Sequence, residues 1–489
     1  METETKIARE TGKAGLWQIA AGLWQTIARL LASMVLARTL SPSDFGIFGM
    51  AFLGKSFIER LGYFGFGTAI IAKKNVDNKD LCTGFWINAG VRCLLFLIAL
   101  GTAPTIATFF KTPEIISLLR YLALTFIFTI PSFIPSLLLQ KEINFTPISI
   151  INMIAVTLEC LVAVILAVGF ELRYWALGIS VIVTIFFIHS AIFLYKIWFP
   201  SLVFSKESFL YLIRYGLGGL GTNLAAFFQG NIDYLITGRI LGPKTLGLYE
   251  FAYRLPHLLQ DRVATPVSEV LLPAFSKIQG SNSNLGNAYL KSVRHMAFIA
   301  LPALAGLALT ADLLIPLLWG ERWLPIVLPL RILCGCAFLN VIFLPIDSIF
   351  YCNNRPSVPF IFNFGRAVIS AASVYILGLK LGLVGVALGM LIGVALSFFY
   401  AFYAFKMLLY PFKEFFNSLI PSALATGGMS GFVVLTRIVL GKGQANTMIV
   451  IVLAVLVGVC SYLGIFRSAF RAQFNELLDT AKMVFQFRG

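Results

Sequence analysis

Along this chain apolar residues gather in runs of about 20 or more, without the two-residue alternation of half-buried strands. A helix needs roughly 20 apolar residues to cross about 30 Å of hydrocarbon. Runs of that length fall near residues 16–38, 44–72, 83–110, 115–139, 148–169 and 174–196. After a break they resume near 209–240, 245–275, 293–318, 325–350, 358–379, 383–406, 418–439 and 446–467. The pattern predicts an all-α integral membrane protein with about fourteen transmembrane helices and almost no water-soluble domain. Strands of a membrane barrel would alternate over about ten residues, which these runs do not. The last segment has another rhythm. Phe470, Phe474, Leu477, Ala481 and Val484 recur at helical spacing, with Arg471, Glu476, Asp479 and Lys482 between them. That predicts an amphipathic tail helix within 468–489, lying on the inner leaflet or against a partner enzyme.

Composition agrees with the pattern. Hydrophobic residues make up 58% of the 489 and charged ones only 12%, and the mean hydropathy is +0.87. A soluble domain is about a quarter charged, so this chain lacks the polar exterior such a domain needs. The seven cysteines lie mainly within or beside apolar runs and show neither a disulfide framework nor zinc-ligand spacing.

The net charge of +16 is mostly a topology signal. Lys and Arg mark cytoplasmic segments. Lys6, Arg9, Lys13, Lys73, Lys74, Lys79, Lys141, Lys291, Arg294 and Arg467 belong to one side and outweigh Arg38, Lys111, Arg173, Arg239, Arg322 and Lys442 on the other. Both termini are therefore expected in the cytoplasm. A basic soluble face for nucleic acid is not expected. The first apolar run is long and contains Arg29, so it reads as a retained helix rather than a cleaved signal.

An internal repeat divides the chain. Residues 37–52, ARTLSPSDFGIFGMAF, align with residues 238–253, GRILGPKTLGLYEFAY. Arg38, Leu40, Pro42, Gly46 and Ala51 match Arg239, Leu241, Pro243, Gly247 and Ala252. A second echo pairs Ala176-Leu177-Gly178 with Ala387-Leu388-Gly389. Pro42 and Pro243 suit the first turn of a helix, because proline fixes φ and lacks an N–H that would be orphaned there anyway. About six crossings separate the copies, so both insert in the same direction, as in transporters built from parallel repeats. The expected organisation is an N-terminal six-helix lobe at 1–196, a linker at 197–208 and a C-terminal six-helix lobe at 209–406. Two extra helices at 407–467 and the tail at 468–489 follow.

Three segments resemble signatures of the polysaccharide transporter family of lipid-linked oligosaccharide flippases. They are LARTLSPSDFGIFGMA from Leu36, NIDYLITGRILGPKTLGLYEFAYRLPHLL from Asn231 and VSEVLLPAFSKIQ from Val267. The resemblance implies the fold of the multidrug/oligosaccharidyl-lipid/polysaccharide (MOP) superfamily, with two six-helix lobes around a central cavity plus two C-terminal helices. It also implies flipping of undecaprenyl-diphosphate-linked oligosaccharides across a bacterial inner membrane. Membrane lipids, and a polysaccharide polymerase with chain-length proteins, are the partners it suggests.

Charges inside apolar runs are costly and usually face a cavity or a partner. Arg29, Lys55, Arg60, Arg254 and Arg262 are the candidate substrate-binding residues, able to attract a diphosphate and acidic sugars. Asp233, Glu59 and Glu250 are candidates for coupling to Na+ or H+; no other cofactor and no catalytic residue is expected. A plainer reading stays open for several of them. Lys55–Glu59 and Glu250–Arg254 are spaced i, i+4 and can pair within one helix. Lys55, Arg120 and Arg262 can instead extend to an interface. Competing functions are a cation-coupled multidrug exporter of the same superfamily and a membrane-embedded polysaccharide polymerase. The polymerase would need a sizeable outer catalytic loop, and the outer segments are short. No Walker A motif is present.

Overall fold

The structure, a computed structural model, describes residues 2–73, 76–441 and 446–486. Lys74 and Lys442 lie outside these residues, as do the side chains of Lys6, Arg9, Lys13, Ala481, Lys482 and Val484. Among the described residues every regular element is helical. The chain divides into two compact units, residues 1–247 and 248–489.

The first unit opens with α1 (Glu2–Thr39), whose apolar part is Ala20–Thr39, so the helix starts well before the run that marks it in the sequence. Next come α2 (Pro42–Leu61), α3 (Phe66–Ala72), α4 (Asn78–Phe110), α5 (Ile115–Phe128), α6 (Phe133–Lys141), α7 (Thr146–Val168) and α8 (Tyr174–Tyr195). The long α9 (Lys206–Lys277) begins in this unit and continues into the second. Within the unit α1 lies against α7, α4 against α5, and α7 against α8. Ile47, Met50, Phe110, Leu118, Leu119, Leu122 and Leu246 form its central apolar cluster.

Local chemistry sets the start of α2. Ser41 and Asp44 form a reciprocal capping box, with Asp44 N donating to Ser41 Oγ at 3.2 Å and Ser41 N donating to Asp44 Oδ2 at 3.0 Å. Pro42 occupies the first turn, as its sequence position predicts. The second copy of the repeat behaves alike. Gly242 takes φ 78°, ψ −178°, which breaks α9 immediately before Pro243. Gly46 lies so close to the Pro243 backbone that an added Cβ would collide with its carbonyl, and Gly247 lies equally close to the Pro42 carbonyl. The two glycines of the repeat therefore make one reciprocal contact, the form expected of a two-fold relation.

The second unit contains α10 (Asn282–Trp319), a 3₁₀ turn (Glu321–Ile326), α11 (Val327–Phe343), α12 (Ile346–Cys352), α13 (Ser357–Ala395), α14 (Ser397–Met407), α15 (Lys413–Gly441), α16 (Thr447–Ala469) and α17 (Arg471–Gln486). Here α10 packs on α11, α15 and α16, and α15 packs on α16. Its core is aromatic, with Tyr289, Phe350, Tyr400, Phe405 and Phe415 buried together. The apolar face of α17 is only partly available to lipid. Phe470, Phe474 and Leu477 pack against the cluster of Met429, Val433, Tyr462 and Phe466.

Among the described residues nine helices are long and apolar enough to cross a membrane, or ten if α5 and α6, bent by 54°, count as one span. The expected count of about fourteen is not reached by this measure, and the reason is physical. The helix α2 and both parts of α9 carry several charges each, which lowers their hydropathy. The 51-residue span Ser357–Met407 covers two expected runs and is broken at Gly382, where φ is 59°.

Candidate functional site

In the first unit a set of polar side chains gathers on Glu59. Lys55, one turn earlier on α2, places Nζ 2.7 Å from Glu59 Oε2. Arg92 of α4 approaches the other oxygen, with Nη1 at 3.4 Å. Lys55 is 7% exposed and is wedged between aromatic rings, 5.7 Å from the Phe52 centroid and 5.6 Å from that of Phe126. Such cation–π contacts strengthen when water is excluded. Two cations on one carboxylate leave a formal charge of about +1.

Beside this cluster lies a recess of about 390 Å³, bordered by Glu59, Arg92, Asn88, Ser132, His189 and the turn Gly62–Gly67. Two breaks in regular helix help to shape it. One is the turn after α2, and the other is the bend between α5 and α6. Irregular backbone at membrane depth is tolerated where it is buried in protein or lines a polar cavity. At the α5–α6 bend, Ser132 Oγ lies 2.5 Å from His189 Nδ1 of α8. Asn88 is 7% exposed, and among the described residues no group hydrogen-bonds its Nδ2.

The other predicted site residues are dispersed. Arg29 pairs with Glu159 of α7 at 3.1 Å. Arg60 is exposed at the end of α2. Asp233 is buried in the first part of α9. In the second unit Arg254 pairs with Glu250 at 3.1 Å and stands 4.8 Å from the Phe251 centroid. His257 pairs with Asp261 at 3.1 Å, and Arg262 beside it is exposed. The plainer intrahelical pairing of Lys55–Glu59 and Glu250–Arg254 is thus present in both cases. It does not separate a structural role from a binding one.

Several contacts join polar groups that the sequence does not pair. Asp312 of α10 holds both Arg331 at 3.0 Å and Arg437 at 2.5 Å, tying α11 and α15 to one carboxylate. Tyr400 donates to Asp347 at 2.7 Å. Arg173 reaches the cap residue Asp44 at 3.2 Å. Spacing along the chain carries no trace of these pairs. A lone intramembrane charge is the only signal available, and it names one partner without the other.

At the start of α4 one ion pair and one hydrogen bond fasten neighbouring segments. Lys73 Nζ donates to Asp80 at 2.6 Å, and this bond holds the lysine above its ordinary pKa against the opposing effect of burial. Ser208 Oγ also donates to Asp80, at 2.7 Å, so the start of α9 is tied to the start of α4.

Comparison with known proteins adds the family. Residues 35–328 match the model of a family described as polysaccharide biosynthesis protein. The chain belongs to the polysaccharide biosynthesis protein family. This family member is 27% identical over 388 residues to the lipopolysaccharide biosynthesis protein WzxC of Escherichia coli K12, covering 76% of this chain and 78% of that protein. Its fold is similar to that of lipid II flippase MurJ in an inward closed conformation, with a TM-score of 0.76 and 16% identity over 94% of this chain and 100% of that one. An inward-facing multidrug resistance transporter of the MATE family is also similar, with a TM-score of 0.59 and 16% identity over 80% of this chain and 98% of that one. The family member therefore has the all-helical architecture of MOP-superfamily transporters and is a multi-pass membrane protein.

Proposed function

We propose that the protein flips undecaprenyl-diphosphate-linked oligosaccharide repeat units across the bacterial inner membrane for surface polysaccharide such as O-antigen, capsule or exopolysaccharide. The observation that carries this reading is the Lys55–Glu59–Arg92 cluster beside a polar recess, inside an apolar unit of a chain from this family. Buried charges are expensive in a membrane, and a polar cargo is the ordinary reason to keep them.

In this reading about fourteen crossings form two six-helix lobes and two extra helices, with both termini cytoplasmic. Arg29, Lys55, Arg60, Arg254 and Arg262 draw the diphosphate and acidic sugars, while the prenyl tail stays in lipid. The lobes expose the cargo first inward and then outward. Asp233, Glu59 and Glu250 are the carboxylates offered for Na+ or H+ coupling. A polymerase and chain-length proteins receive the product. A cation-coupled multidrug exporter is the second reading, supported by the fold similarity to the MATE transporter. The excess of cations around Glu59 disfavours it, since a cationic drug would be repelled there.

The test is a strain lacking the protein, with lipid-linked oligosaccharide assigned to a leaflet by a non-permeant sugar probe. Accumulation on the cytoplasmic face, reversed by a complementing copy, is expected. Normal delivery to the outer face together with loss of drug efflux would favour the exporter.

A further inference from the structure

The corner between α16 and α17, in the second unit, carries a polar hollow of its own. α16 closes at Ala469 and α17 opens at Arg471, with Phe470 between them out of helical conformation at φ −129°, ψ 48°. The break sets Arg467, on the last turn of α16, and Arg471, the first residue of α17, around one hollow of about 470 Å³. Gly464, Ser468, Phe474 and Asn475 complete its lining. We propose that this hollow holds the headgroup phosphate of an anionic glycerophospholipid, with phosphatidylglycerol as its simplest occupant.

Charge is the first argument. Neither arginine makes an ion pair among the described residues. The nearest acid along α17, Glu476, is engaged by Lys291 at 3.3 Å and Arg294 at 2.7 Å of α10. Two guanidinium forks suit one phosphodiester, whereas the ammonium of a zwitterionic headgroup would face two like charges. Ser468 Oγ donates to the Ile465 carbonyl at 3.1 Å, so its oxygen is left to accept from a headgroup hydroxyl. The corner is also held in place. The Phe466 ring lies 5.7 Å from that of Phe470 and 6.5 Å from that of Phe474, and all three belong to one apolar cluster. A fixed corner presents its arginines with little ordering left to do on binding. Depth selects a lipid over free phosphate. Leu463, Val459, Leu456 and Val452 precede Arg467 at helical spacing and are exposed, on a helix long and apolar enough to span the membrane. The arginine therefore crowns a stripe along which an acyl chain can lie, and a free anion has no use for that stripe.

The site is independent of the cargo, and so is its test. Full-length protein in detergent is titrated with phosphatidylglycerol or phosphatidylcholine, and bound lipid is counted by native mass spectrometry. Phosphatidylglycerol should be held saturably and about tenfold more tightly than phosphatidylcholine, the worth of one hydrogen bond to a charged group. Inorganic phosphate should not displace it. Arg467→Gln combined with Arg471→Gln should remove the preference. Gly464→Leu is the sharper variant. A Cβ there meets nothing within 4 Å, so leucine fits the helix, keeps the net charge and fills the hollow. It should weaken phosphatidylglycerol binding about tenfold and melt no lower than wild type without added lipid. A diffuse attraction between a basic surface and acidic lipid would leave Gly464→Leu unchanged. Arg355→Gln, an exposed arginine outside the corner, should bind as wild type does. Equal retention of the two lipids, displacement by inorganic phosphate, or wild-type binding by both the double variant and Gly464→Leu would overturn the site. Tighter binding of undecaprenyl phosphate than of phosphatidylglycerol would overturn it too, since the hollow would then serve a prenyl lipid.

Discussion

Lys55 has a structural part that can be measured apart from its proposed contact with cargo. Its ammonium is buried, ion-paired to Glu59 and held between two rings, so removing it takes the cation from the rings and leaves Glu59 with the longer contact to Arg92. Lys55→Ala is expected to lower stability by about 1–3 kcal/mol, measured by thermal unfolding in detergent. Adding Glu59→Gln should recover part of that loss, since the less well compensated charge is gone. A double variant no more stable than Lys55→Ala would mean the pair is not coupled. Arg254 differs. Its pair with Glu250 is about a third exposed, so Arg254→Ala should cost less than about 1 kcal/mol. Loss of surface polysaccharide in Arg254→Ala at normal protein level would then report binding. Wild-type polysaccharide would remove Arg254 from the proposed site.

At the scale of elements, the repeat has a structural purpose that its sequence only hints at. Gly46 and Gly247 allow the starts of two helical segments to touch backbone to backbone. Gly46→Ala puts a methyl against the Pro243 carbonyl and should cost about 1–3 kcal/mol, as overpacking does. Gly90→Ala, which meets nothing within 4 Å inside α4, is the control and should melt no lower than wild type in the same thermal assay. The tail helix α17 offers a pH test. Glu476 bonds Arg294 at 2.7 Å and Lys291 at 3.3 Å. Burial works against its ionisation, but the Lys291 hydrogen bond and the two positive charges outweigh burial and hold the carboxyl below its ordinary value. A lowered folded pKa contributes docking stability above the ordinary carboxylate range and loses it as pH falls through the lowered value. Protection factors in 471–480, corrected for the intrinsic pH dependence of exchange, should therefore be high at neutral pH and lower in acid. Glu476→Gln should give low protection at both.

For the molecule as a whole, the bias of Lys and Arg predicts which side each loop faces. In a cysteine-free background, Lys79→Cys should react with an impermeant maleimide only from the cytoplasmic side, and Arg322→Cys only from the other. Reversed labelling would invert the topology. Family membership and fold were both legible in advance, the first through the segments around Pro42 and Pro243, the second through the apolar runs. The charged helices were harder to place. The runs near 44–72, 209–240 and 245–275 read as crossings, yet their charges remove them from the helices that qualify by hydropathy alone.

The sequence by itself determined the all-helical membrane class and the places of the charges within its apolar runs. Each of these depends on composition or spacing within one segment, and lipid acts on a segment through its own transfer free energy. Only the tertiary structure decided which charges meet. Arg92 reaches Glu59 across 33 residues, Arg29 reaches Glu159 across 130, and Arg173 reaches Asp44 across 129. Those pairs depend on how each helix is rotated about its axis and where it crosses its neighbour. That is a property of packed side chains on both helices, and no single stretch of chain contains it.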